Sequence, residues 1–116
     1  MTRKFLIPGD QIKPVAVGYG GCIASDRITV DGMKVGYLYR ESPTNGIDSG
    51  WRILAGDESA EYMNDSNNHT VYDVNTIANY DPTITAVLET EPPCAFEWDA
   101  SSSRFVSIPQ PDPDPE

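Results

Sequence analysis

The chain has 116 residues, 18 acidic against 8 basic side chains, a formal net charge of -10, and 39% hydrophobic and 22% charged residues. That length allows one modest core and excludes a second. A surface this negative repels nucleic acid and anionic lipid and attracts basic partners, while the globular balance of residue types excludes a chain unfolded throughout.

The opening MTRKFLIPGD places only Phe5, Leu6 and Ile7 before Pro8, too short an apolar run for a signal peptide. No stretch reaches the length of a membrane span, so a cytoplasmic protein is expected. From Val15 to Ala24 the apolar residues are interrupted by Gly18, Gly20 and Gly21, which predicts a turn or bulge followed by a short strand over 21–25. Ile28 and Val30, then Val35, Tyr37 and Tyr39, alternate on either side of Asp31-Gly32, the short-range signal of a β-hairpin. In its second run Leu38 and Arg40 face away from the tyrosines, and burial is expected on the tyrosine side.

ESPTNGIDSG is a turn-rich loop. It leads into a strand over 50–56 in which Trp51, Ile53 and Ala55 alternate with Arg52 and Leu54, placing Trp51 on the tyrosine face. DESAEYM predicts one helical turn capped by Ser59 or Asp57, and NDSNNH an exposed loop carrying His69. Helical spacing then joins Val74, Ile77 and Ala78, and again Ile84, Val87 and Leu88 beyond Asp81-Pro82, where an N-cap followed by proline starts a second helix. CAFEW and RFVSI form a last strand pair around DASSS, and IPQPDPDPE predicts an extended tail. Together these elements predict one α+β domain over residues 1–108 with a flexible Pro/Asp-rich tail over 109–116. Its curved, mainly antiparallel sheet of about five or six strands is covered by one or two short helices.

Candidate chemistry is sparse. A nucleophilic triad needs a base beside serine or cysteine, and the single histidine is His69. Cys22 and Cys94 lack metal-ligand spacing and read as buried thiols; a disulfide requires Cβ atoms about 3.5–4.5 Å apart, which sequence does not test. Asp57, Glu58 and Glu61 could meet at a cation or share acid-base work, against the plainer reading of a solvated helix start. Arg40 and Arg52 stand near Glu41 and Asp48 and are expected in structural ion pairs, with Asn75, Asn79 and Asp81 as caps. No cofactor and no catalytic residue is assigned.

The words GGCIASDRITVDG, KVGYLYRE, DSGWRILAGDE, EYM and YDVNTIANYDP, in that order from about Gly21 to Phe96, resemble a bacterial immunity-protein family, class thirty-three in the toxin-immunity numbering and formerly a domain of unknown function. The resemblance implies a protein encoded beside a polymorphic toxin, whose partner is that toxin. It implies no catalytic residues. Stoichiometric occlusion of a basic toxin fits the charge, with Asp57, Glu58, Glu61, Tyr62 and Asp65 as the candidate patch: acids for steering and an exposed tyrosine as anchor. The alternative is a small enzyme or ligand-binding domain using Asp57 and Glu58. A deep pocket joining two or more of Asp48, Arg52, Asp57, Glu58 and His69 would favour it. A nucleic-acid mimic would need a regular row of acids that no single element supplies.

Overall fold

The computed structural model describes residues 7, 11–42 and 46–109. The fold is α+β, built on an open, six-stranded mixed sheet. In chain order the elements are β1 (Gly21–Ser25), α1 (Asp26–Thr29), β2 (Tyr37–Arg40), β3 (Asp48–Leu54), α2 (Ala60–Asn64), β4 (His69–Asp73), α3 (Val74–Tyr80), β5 (Cys94–Asp99) and β6 (Arg104–Ile108). Short 3-10 turns occupy Ser66–Asn68 and Pro82–Ala86. Strand order is β4-β1-β3-β2-β5-β6, with β1 and β3 parallel and every other neighbouring pair antiparallel.

One sheet face carries the core. Leu38 pairs with Ile53 across β2 and β3, and Ala24 pairs with Ile53 across β1 and β3. These residues pack with Cys22 and Trp51 against Ile28 of α1, Val74, Ile77 and Ala78 of α3, and Ile84, Val87 and Leu88 beyond it. The expected helical spacing of residues 74–88 holds, with Asp73 capping α3 through Asn75 N. Asp81 caps the following segment and also accepts from Val35 N at 2.9 Å. That second segment is 3-10, not α. Side chains on α3 also hold the chain's beginning: Asn75 Oδ1 accepts from Val15 N and Ala16 N, Asn79 takes Lys13 N, and the Tyr80 hydroxyl meets Ile7.

The strand over 21–25, the α2 turn capped by Ser59 and the final pair joined by a polar loop form as expected. Four expectations are corrected. Residues 26–29 are a helical turn, because the Ser25 hydroxyl accepts from Arg27 N and caps it, so no hairpin spans Asp31-Gly32. Burial of β2 is on the Leu38 side, with Tyr37 and Tyr39 half-buried on the other. Trp51 sits opposite Arg40, on the Leu38 face and not with the tyrosines. His69 opens strand β4 instead of lying in an exposed loop, and it is half-buried. Of the predicted tail, residues 110–116 lie outside those described.

The second sheet face is only partly roofed. Alternation along the strands places Ile23, Val71, Arg52, Tyr39, Leu54 and Tyr37 there. Tyr62 of α2 meets the His69 ring edge-on at 6.0 Å, and Met63 lines a cleft with Leu54 and Tyr37. Around Ile23 and Val71 the face stays open. Among the described residues, no helix is long and apolar enough to cross a membrane.

Candidate functional site

The word DSGWR builds the most unusual piece of backbone. Gly21 pairs with Asp48 and Ile23 with Arg52, so a two-residue step along β1 faces a four-residue step along β3. The surplus forms a bulge, the device that re-aims side chains at sheet irregularities. Each residue of the word has a task in it. Gly50 takes φ +91 and lies so close to the Glu41 carbonyl that a Cβ would come within 2.1 Å of it, a conformation and an approach that suit glycine. The Ser49 hydroxyl donates to Gly21 O and accepts from Trp51 N, replacing ladder bonds that the bulge interrupts. Trp51 then turns into the core.

Residues four apart in a straight strand stand about 13 Å from each other; the bulge brings Asp48 back onto Arg52. The guanidinium donates to both Asp48 oxygens at 2.9 and 3.0 Å and through Nε to Glu41 at 2.7 Å. These carboxylates raise the pKa of Arg52, hydrogen bonding to Asp48 being the largest cause. The expected structural pairing of Arg52 is therefore present. Arg40 donates to the carbonyls of Ser49 and Thr90 and lies 5.7 Å over the Trp51 ring.

Above this pair lies an open groove of about 410 Å³ lined by Gly21, Cys22, Ile23, Gly46, Ile47, Asp48, Arg52 and Val71. Ile47 is 79% exposed, Val71 72% and Ile23 36%. Ile23 and Val71 are direct cross-strand partners, so the three form a contiguous apolar lip beside a charged floor. Sequence reading did not find this groove. Its one usable signal was an isoleucine set in the polar loop before DSG.

The acidic loop reads differently from its sequence. Asp57 is bound by Arg27 at 2.6 Å, and Glu58 accepts from Ala55 N and Gly56 N at 2.8 and 2.9 Å. Tyr62 is half-buried, not exposed, with its ring edge-on to that of His69. Glu61 is exposed on the first turn of α2, and Asp65 is exposed while accepting from Asn67 N. Asp57, Glu58 and Met63 border a second open cleft of about 540 Å³ with Tyr37, Leu54 and Glu97. Each cleft thus holds two of the residues an enzyme reading requires, but each pair's charges are engaged inside the protein.

Thiol chemistry fares no better. Cys22 is buried, and burial pushes its thiol up to about 12; burial also raises that of Cys94, which is half-buried. They stand three strands apart, roughly 14 Å, and both are free. Among the described residues no group of three or more His, Cys, Asp or Glu could hold a metal ion.

Arg27 gives a direct check on the acidic loop. Its hydrogen bond holds the Asp57 carboxyl below the ordinary 3.8. Since the folded value lies below the unfolded one, the pair favours the fold above that ordinary value and its contribution is lost as pH falls through the lowered one. In Arg27→Gln the Asp57 titration, followed by carboxyl carbon NMR, is expected to move up into the usual range, with little change in thermal midpoint because the pair is exposed. A titration left where it was would remove the pair as its cause.

A family profile described as Immunity protein Imm33 domain matches residues 22–108, which takes in all six strands except Gly21 at the start of β1, together with the acidic loop. No curated protein matches the chain, and no solved structure does.

Proposed function

The chain belongs to the Imm33 immunity-protein family, and from that premise we propose that it binds one cognate toxin and neutralises it by stoichiometric occlusion in the cytoplasm. A role in toxin immunity follows from the family; the occlusion mechanism is our reading. The observation that carries it is the engagement of the candidate reactive groups: Arg52 with Asp48 and Glu41, Asp57 with Arg27, and Glu58 with backbone amides. Groups committed in this way serve to fix a surface, whereas acid-base catalysis calls for one that can reach a substrate proton.

A formal charge of -10 favours a basic toxin, which it would draw in by electrostatic steering. In this reading Asp57, Glu58, Glu61 and Asp65 contribute at the rim. Tyr62 supports α2 from beneath. The experiment is co-expression with the product of the gene beside its own. Restored growth and a 1:1 complex on pull-down are expected; neither rescue nor complex would overturn the reading.

A further inference from the structure

The groove over the bulge gathers three exposed apolar side chains that the fold itself leaves unexplained. Ile23, Ile47 and Val71 come from three separate segments, yet they converge on one concavity. Large apolar side chains scattered singly over a surface are ordinary, and it is their contiguity that marks a docking surface. The floor is rigid, because Arg52 is fixed by three carboxylate hydrogen bonds and Ser49 ties β3 to β1. A preformed, rigid cavity lowers the ordering cost of binding.

Charge identifies the occupant. Around the groove the carboxylates of Asp48 and Glu41 both meet Arg52, and Asp73 lies close enough to act on Cys22. Of the charged side chains only Asp48 and Arg52 line the groove itself, and they neutralise each other; Glu41 beyond Arg52 and Asp73 opposite Gly21 leave its rim with an excess of negative charge. A second copy of this chain, at -10, would bring like charge to that rim, whereas a cationic segment complements it. We propose that this groove is the toxin-docking surface, receiving an apolar side chain carried on a positively charged segment of the toxin. The inference rests on the immunity reading above. A standard interface covers about 800 Å² of each partner, so one centred here extends across the sheet face toward α2, where the acidic loop supplies its rim.

The test uses the full chain and, as probe, the polypeptide encoded beside its gene, with binding measured by calorimetry. Ile47→Glu and Val71→Glu place a carboxylate in the apolar centre, and each is expected to weaken binding at least 100-fold with an unchanged circular dichroism spectrum and melting midpoint. Met33→Glu adds the same charge at another exposed apolar residue, beyond α1 and outside the groove, and should stay within about threefold of the original. If either groove variant misfolds, Ile47→Ala and Val71→Thr, which only remove apolar contact, should still weaken binding about tenfold. Folded variants that bind like the original would overturn the groove and leave the immunity reading standing. So would a dimer of the chain alone, seen by sedimentation, that Ile47→Glu dissociates. If the original chain neither binds nor rescues, the immunity reading falls first and the groove with it.

Discussion

Trp51→Ala is expected to lower stability by about 4 kcal/mol, within the range for deleting a fully buried aromatic side chain. Trp51 is 0% exposed and leads the largest fully buried side chains. Its ring lies 6.4 Å from that of Phe96, the Arg40 guanidinium stacks over it, and its indole N–H donates to the Leu88 carbonyl at 3.3 Å. The single side chain thus joins β3 to β5 and to the segment closing the core. Truncation opens a cavity and strips Leu88 of a donor together, so the two costs add. Against a typical total of about 5–15 kcal/mol, the loss brings the domain near its unfolding threshold. Trp51→Phe keeps most of the apolar volume and should cost about half as much. Urea unfolding followed by circular dichroism measures both; a loss below about 1 kcal/mol for Trp51→Ala would mean that this ring does not organise the core.

Trp51 also shows how far the sequence could be read. Its burial was legible, as was the strand carrying it, but its face was not. Alternation assigns residues to two sides of a strand and is silent on which side the helices will cover. Two tyrosines outweighed Leu38 in that reading, and packing of α3 against the Leu38 face reversed it. β4 escaped because HTVYD offers almost no apolar pattern: its one aliphatic residue, Val71, points into the open groove. That strand exists through its pairing with β1, a long-range fact. By contrast α3, Asp81-Pro82, β5 and β6 rest on local caps, spacing and turns, and all form where expected.

Candidate site residues divide along the same line. The dense polar words looked like a partner surface, but most of their side chains act inward. Asp73 and Ser59 cap helices, Asn75 and Asn79 hold the chain's beginning, Glu58 closes a turn, and DSGWR folds a bulge. Their contribution to function is indirect, through the surface they shape. The groove remained unread because it joins Ile23, Ile47 and Val71, which no sequence window contains together.

Arg52 links the stability of this surface to its shape, and Arg52→Ala is expected to cost about 3 kcal/mol, the lower end of the range for removing one partner of a buried ion pair. The lower end applies because Glu41 is 47% exposed and can recover water, whereas the Asp48 side chain is only 12% exposed and would stay largely desolvated. Lysine is no substitute, since a point charge cannot reproduce the fork that meets both Asp48 oxygens and Glu41 at once. If the cost comes mainly from stranding Asp48, then adding Asp48→Asn to Arg52→Met should recover at least half of it, a non-additivity that a double-mutant cycle measures directly. A buried pair is also poorly screened, so the loss should persist in about 1 M salt, where a surface pair would fade. Additive single-mutant losses, or a loss that salt abolishes, would show that the groove floor is not held by this pair. A folded Arg52→Met, Asp48→Asn chain should still bind toxin more weakly, because the bulge then holds its apolar lip without the charged floor that sets its angle.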